Sequence, residues 1–219
     1  MDVAVNLVES YLRLNGYFTL SEFEILGRAK DGTFRTLTDV DIVGLRLPGD
    51  VETPDHHDDA RLLMIRDPAL RLEPDEIDVI IGEVKQGEAV FNPGLMSPRV
   101  LQSVLERIRW IYDGDVSRVV DELCRHGLSV GSSFRGAGVR TRLVAFGRSS
   151  QVNLHTMSLS HIVEQMTSFM SDFNGLLRSA NFKDPAPALL RLLAKTGFTV
   201  SKERGSEEAE HRAPPDEEE

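Results

Sequence analysis

The chain has 219 residues, of which 41% are hydrophobic, and it carries a formal net charge of −10. This size suits one domain with one core, and the single cysteine, Cys124, excludes an intramolecular disulfide and a multi-cysteine zinc site. The sequence has neither the pattern of a secretory signal nor a run of roughly 20 apolar residues, so we expect a cytoplasmic protein that does not enter a membrane.

Hydrophobic periodicity predicts helices and strands along most of the chain. Up to residue 87 the predicted elements are a helix at 2–15, a hairpin with strands at 17–26 and 36–47, an acidic excursion at 50–76 with a short strand at 61–66, a buried strand at 77–84 and a loop at 85–87. Beyond it they are helices at 98–112 and 115–126, strands at 140–148 and 151–157, and helices at 158–180 and 185–196. This order favours an α/β fold with a mixed central β-sheet flanked by helices.

The composition predicts one folded domain with an acidic tail. We expect the domain to cover residues 1–200, with a core at about 1–160 and C-terminal helices at 158–197. Residues 201–219 have no aliphatic or aromatic side chain larger than alanine and include eight acidic residues. Such a segment cannot offset the entropy lost on ordering, so we expect it to be disordered.

Charged residues stand inside two segments that are otherwise apolar. Glu83 and Lys85 belong to the segment IIGEVKQG and are two residues apart, so on a strand their side chains leave the same face, which Ile81 shares. Ile80 and Val84 should point to the other face. Asp41, in the segment TDVDIVG, provides a carboxylate from the neighbouring predicted strand. Buried charges of this kind are costly without a partner such as a metal ion or a substrate phosphate.

Two carboxylates beside a lysine form a hard oxygen site that suits Mg²⁺ or Mn²⁺. A bound ion can polarise a phosphodiester and acidify a water molecule, while the lysine orients that water or stabilises charge on the phosphoryl oxygens. These residues therefore predict phosphodiester hydrolysis. The alternative is that Asp41, Glu83 and Lys85 form ordinary ion pairs at strand ends.

The combination of these segments with an N-terminal helix that carries Glu9 resembles the PD-(D/E)XK nuclease superfamily. The resemblance implies a restriction endonuclease-like core in which Asp41 and Glu83 bind Mg²⁺ or Mn²⁺, Lys85 assists the attacking water, and Glu9 completes the site. It also implies nucleic acid as the partner, with DNA favoured, in defence, recombination or repair. Val40 replaces the proline of the motif, and the excursion at 50–76 lengthens the separation between Asp41 and Glu83.

The segment 99–148 is the most basic part of the chain, with nine arginines against five acidic residues. Guanidinium groups grip phosphate oxygens in a bidentate fork, so we expect Arg135, Arg140 and Arg142 to contact nucleic acid. Gln86 follows the lysine at a position where it can contact substrate or metal-bound water. The alternatives are that the arginines lie on solvated surfaces and that Gln86 only caps its strand.

Several weaker candidates stay open. Asp39 lies two residues before Asp41 and is a candidate second ligand, whereas the His56–Asp59 cluster is more typical of an exposed acidic loop. Trp110 and Tyr112 favour a core or interface position over base stacking. A catalytically inactive nuclease-fold module that binds nucleic acid or a protein partner, an acidic adaptor, and a homodimer are all compatible with the sequence.

Overall fold

The computed structural model describes residues 2–29, 31–49, 64–175, 177, 182–198 and 200. The acidic tail at 201–219 and the His56–Asp59 cluster lie outside these residues. So does the first part of the excursion at 50–76, including the start of its predicted strand at 61–66.

The described residues form an α/β fold with a mixed sheet flanked by helices, as the sequence predicts. The helices are α1 (Val3–Leu14), α2 (Pro98–Arg107), α3 (Ser117–His126), α4 (Leu159–Asp172) and α5 (Pro185–Lys195). The strands are β1 (Phe18–Arg28), β2 (Phe34–Arg46), β3 (Glu76–Glu88), β4 (Leu128–Ser132), β5 (Gly138–Arg148) and β6 (Thr156–Ser158). No helix in the described ranges is long and apolar enough to cross a membrane.

The sheet has the order β1-β2-β3-β5-β4, and β6 pairs with β5. β1, β2 and β3 form antiparallel pairs, whereas β3 and β5 run parallel. The parallel pair is possible because α2, α3 and β4 make the crossover between these two strands. β3 is therefore the central strand of the sheet.

Apolar layers cover both faces of β3. Ile81 belongs to a cluster with the buried side chains of α2 and α3, whereas Ile80 and Val84 belong to a cluster with those of α1 and α4. This alternation agrees with the predicted faces of the strand. Because Glu83 and Lys85 follow Ile81 at intervals of two, they leave β3 on the face that α2 and α3 cover.

The boundaries differ from the prediction at three strands. The strand predicted at 151–157 is shorter, since β6 covers only Thr156–Ser158. The loop predicted at 85–87 is wrong, since β3 continues to Glu88, where it pairs with Arg148 of β5. No strand was predicted between residues 126 and 140, but residues 128–132 pair with β5 along the edge of the sheet. The extension of β3 and the strand β4 both form because the backbone of β5 is available for pairing. The residues that pair with it have no periodic pattern from which this pairing could be predicted.

A buried ionic network ties β3 to β5 at the other end of these strands. The carboxylate of Asp78 accepts hydrogen bonds from Arg140 Nε at 2.7 Å and from Arg142 Nη2 at 3.0 Å, and also from the Tyr17 hydroxyl. Burial disfavours the charge on Asp78, but Arg142, Arg140 and Tyr17 together outweigh this effect and hold the pKa of Asp78 below its ordinary value.

The structure gives Arg140 and Arg142 a role other than the predicted contact with nucleic acid. The exposed fraction of Arg142 is only 1%, and its guanidinium also donates to the carbonyls of Leu70 and Leu154. Arg140 is buried too and donates to the carbonyl of Arg71. Because both groups bind protein acceptors in the interior, neither is positioned to contact phosphate.

We expect Asp78→Ala to lower the free energy of unfolding by about 3–5 kcal/mol, because it leaves two buried guanidinium groups without their counter-charge. Urea denaturation at pH 7 measures this loss, and the exposed Asp75→Ala is the matched control. Since the pKa of Asp78 is depressed in the folded protein, its stabilisation exists above the unfolded pKa and disappears as the pH falls through the folded pKa. The two variants should therefore converge in acid, and equal stabilities at pH 7 would contradict the role of the network.

Candidate active site

The candidate site lies where β2 and β3 separate. The ladder between them extends from Arg46 opposite Asp78 to Ile42 opposite Gly82, and Asp41 and Glu83 are the next residues on the two strands. Here the Asp41 Oδ2 atom accepts a hydrogen bond from the main-chain N–H of Val84 at 2.7 Å. The Asp41 carboxylate thus continues the contact between the strands after their ladder ends.

Gly82 allows close packing beside the site. A Cβ atom at this position would lie 2.6 Å from Cγ2 of Ile42 and 2.8 Å from the ring of Phe146. A side chain here would push β2 or β5 away from β3. The glycine before Glu83 therefore helps to set the separation between the strands that carry Asp41 and Glu83.

Glu83 is a buried carboxylate, with an exposed fraction of 2%. It forms an ion pair with the Nζ atom of Lys85. Burial raises the pKa of Glu83, Lys85 opposes this effect, and the negative charge of Asp41 adds to it, so the pKa stays above its ordinary value. Ionisation of Glu83 consequently costs free energy when Asp41 beside it is already ionised.

Asp41 and Lys85 differ in their exposure and charge. Asp41 is partly buried, and this burial raises its pKa, although the Val84 N–H and the charge of Lys85 act in the other direction. The Lys85 side chain is 42% exposed, and its hydrogen bond to Glu83 raises its pKa against a smaller effect of desolvation. Lys85 is therefore a cation at neutral pH that lies beside two acids.

A loop and the hairpin cover Glu83. In the loop after β3 the Asn92 side-chain oxygen accepts a hydrogen bond from the Gly94 N–H at 2.9 Å, and its amide nitrogen lies 3.4 Å from Oγ1 of Thr38 on β2. The guanidinium of Arg107 on α2 stacks over Phe23 of β1 at 4.6 Å. Asn92 was not among the predicted site residues, although the turn-like Asn-Pro-Gly after a buried strand indicates an ordered loop.

The backbone is strained opposite Asp41. In the β1–β2 ladder Ser21 pairs with Ile42 and Phe23 pairs with Val40, so the intervening Glu22 faces the position of Asp41. Glu22 has a φ of 50°, a left-handed conformation that is uncommon outside glycine. Strain of this kind is often found at functional sites, where the surrounding structure maintains it.

The structure does not bring Glu9 to this cluster. Glu9 is buried on α1, which covers the opposite face of the sheet from Glu83. Its carboxylate accepts hydrogen bonds from Arg13 at 2.7 Å, Ser21 at 3.0 Å and Thr19 at 3.1 Å. These bonds attach α1 to β1, so Glu9 has a structural position here rather than the site position that the resemblance implies.

Gln86 and Asp39 also lie apart from the three central residues. Gln86 is exposed and donates to Asp2 at the start of α1, at 3.2 Å, on the opposite face from Lys85. Asp39 is exposed on β2, where it stands opposite Glu24 of β1. Two acids at paired positions repel each other. The charge of Asp39 also adds to the negative potential around Asp41.

Arg135, in the basic segment, lies far from the candidate site. Arg135 is exposed and lies over the ring of Phe134 in the turn before β5. β5 begins opposite Glu76, seven residues before Glu83, which corresponds to about 23 Å along the strand. Trp110 is exposed and Tyr112 is buried. A nucleic acid would therefore have to extend over the sheet to contact Arg135 and Glu83 together.

Asp41 and Glu83 offer the type of oxygen donor that a small divalent cation prefers. Within the described ranges no group of three His, Cys, Asp or Glu side chains is arranged to hold a metal ion. Mg²⁺ is commonly bound through one or two carboxylates and retains several water molecules. An added positive charge would also relieve the repulsion that raises the pKa of Glu83.

Comparison with known proteins found no match. No family model, no curated protein and no solved structure matches this chain. The geometry of Asp41, Glu83 and Lys85 is therefore the basis for the function proposed below.

We expect Asp41→Asn to increase thermal stability at pH 7. The raised pKa of Asp41 means that the folded protein binds protons more tightly than the unfolded chain, so stability falls as pH rises through the interval between the two pKa values. Asparagine keeps an oxygen for the Val84 N–H and removes the charge. Calorimetry from pH 4 to pH 8 should show a gain that grows with pH, with exposed Asp75→Asn as the control; a less stable Asp41→Asn protein at pH 7 would contradict this account.

Proposed function

We propose that the chain is a metal-dependent nuclease of the PD-(D/E)XK type that hydrolyses phosphodiester bonds, with DNA as the favoured substrate. The observation that carries this proposal is the meeting of Asp41, Glu83 and Lys85 at the point where β2 and β3 separate. Two carboxylates with raised pKa values beside a lysine are an arrangement that a structural ion pair does not require.

In the proposed mechanism Asp41 and Glu83 would hold Mg²⁺ or Mn²⁺ through their carboxylate oxygens. An ion bound there would supply Lewis-acid chemistry and lower the pKa of a bound water. Asp41 is positioned by the Val84 N–H and Glu83 by Lys85, so both carboxylates are oriented by groups of β3. This orientation limits the reorganisation that the site needs when a substrate phosphate arrives.

Lys85 has a separate role in this mechanism. Because it is protonated and half exposed, it cannot take a proton from water at neutral pH, but it can donate to an anionic oxygen. A cation held by Glu83 would weaken the Glu83–Lys85 ion pair and release the ammonium group toward substrate. Lys85 would then orient the attacking water or stabilise the charge that develops on the phosphoryl oxygens.

The charge around the site predicts that the cation precedes the substrate. Asp41 lies near Asp2 and Asp39, both of which raise its pKa, and the whole chain carries a net charge of −10. A phosphate approaching this region without a cation is repelled. Nucleic-acid binding at the site should therefore require the divalent ion, just as cleavage does.

A second candidate function is that of a module with the same fold but without catalytic activity. Glu83 already has Lys85 as a partner, so the buried charge is compensated in the absence of a metal ion. This observation favours a non-catalytic module that binds nucleic acid or a protein partner. Divalent-metal binding distinguishes the two functions, because only the nuclease requires Asp41 and Glu83 as ligands.

We expect Asp41→Ala and Glu83→Ala each to abolish metal binding and cleavage, whereas Lys85→Ala retains metal binding and loses turnover by about 10²-fold or more. Removal of the lysine leaves both carboxylates in place and removes the ammonium group that competes with the metal ion for them. Calorimetric Mn²⁺ titration beside a DNA cleavage assay separates these effects. Exposed Asp75→Ala and Lys183→Ala are matched controls that should behave as the wild type.

Two results would overturn the proposal. A wild-type protein that binds no divalent cation favours the non-catalytic module. A Lys85→Ala protein that cleaves at the wild-type rate shows that the lysine has no part in the reaction, even if the two acids bind metal.

A further inference from the structure

Arg191 on α5 is a buried cation without an acidic partner in the part of the chain that the structure describes. Its exposed fraction is 6%, and its guanidinium donates to the Asn174 side chain at 2.9 Å and to the Leu177 carbonyl at 3.1 Å. Both acceptors are neutral, and the Nε atom has no hydrogen-bond partner. A buried charge of this kind is costly unless an opposite charge compensates it.

Arg191 forms part of the wall of a cleft between α4 and α5, with a volume of about 790 Å³. α4 contributes Thr167 and Ser171, and α5 contributes Lys195 one turn after Arg191, so the two cations share one helix face. Phe198 forms part of an apolar wall. Among the described residues, the side chains that line the cleft include two cations and no acid.

The polar groups of this cleft suit an anion. Oγ1 of Thr167 and Nε of Arg191 are buried atoms that have no hydrogen-bond partner among the described residues. Buried polar atoms are normally paired, so the wall of this cleft contains polar groups that the described protein atoms do not satisfy. Arginine provides a planar fork and lysine a point charge for phosphate oxygens, whereas the net charge of −10 makes non-specific attraction of anions unfavourable.

We propose that the cleft between α4 and α5 binds a small phosphate-bearing molecule through Arg191 and Lys195. The volume lies within the usual range of small-molecule sites and exceeds the need of a single phosphate ion. The exposed Ser171 hydroxyl provides a further contact to phosphate oxygens, and Phe198 packs against the remainder of the ligand. This site shares no residue with Asp41, Glu83 and Lys85, so it goes beyond the proposed nuclease activity.

The test uses the full chain in EDTA with pyrophosphate and inorganic phosphate as probes, at constant ionic strength. We expect pyrophosphate to raise the melting temperature in a saturable manner and to bind more tightly than inorganic phosphate. Lys195→Gln should weaken pyrophosphate binding by about tenfold, since it removes one hydrogen bond to a charged group. Arg191→Gln should abolish binding, and Arg99→Gln, at an exposed position of α2, is the matched control.

Ser171→Asp keeps the test decisive if Arg191→Gln does not fold. The new carboxylate would supply the missing negative charge in the cleft, so this variant should be more stable without ligand and should not respond to pyrophosphate. Asp41→Asn should respond as the wild type does, which separates this site from the candidate active site. The proposal is overturned if pyrophosphate does not stabilise the wild type, or if Lys195→Gln and Ser171→Asp retain the full response.

Discussion

The position of the central strand depends on the ion pairs of one buried carboxylate, that of Asp78. It joins β3 to Arg140 and Arg142 of β5 and to Tyr17 at the start of β1. A shift of β3 by one residue would break these contacts and turn each of its side chains to the opposite face. Asp78 therefore fixes the face on which Glu83 and Lys85 emerge five and seven residues later.

The two ends of β3 contrast in their electrostatics. At one end two guanidinium groups hold the pKa of Asp78 below its ordinary value, and at the other end burial and the charge of Asp41 raise the pKa of Glu83. Ionisation of Asp78 consequently stabilises the fold, whereas ionisation of Glu83 opposes it. A carboxylate pair that costs stability is better explained by a cation that binds it than by a structural requirement.

The sequence predicted those features that depend on local pattern. The alternation in residues 77–84 placed Ile81 with Glu83 and Ile80 with Val84 on opposite faces, and the structure confirms this. It could not predict features that depend on which strands become neighbours. Asp78 stands alone in an apolar run, and Arg140 and Arg142 are two residues apart, but only the parallel pairing of β3 with β5 brings them together.

Long-range placement also explains the outcome for the other candidate residues. Glu9 lies on a helix of the predicted type, but α1 packs on the face opposite Glu83, and a single sequence does not specify the face that a helix covers. Arg191 gave no signal, because one arginine in an amphipathic helix is normally exposed. Its burial follows from the packing of α5 beside α4, which periodicity does not determine.

The cost of holding Asp41 and Glu83 together couples protons to any cation at this site. Both acids have raised pKa values without an ion, so a cation that binds them competes with protons as well as with water. Its apparent affinity should increase with pH until both groups are ionised, and its binding should stabilise the folded state by mass action. Lys85 competes for the same carboxylates at every pH at which it is protonated. The ion pair that compensates Glu83 in the free protein is thus also the interaction that a bound cation must replace, and this exchange would free the lysine for substrate.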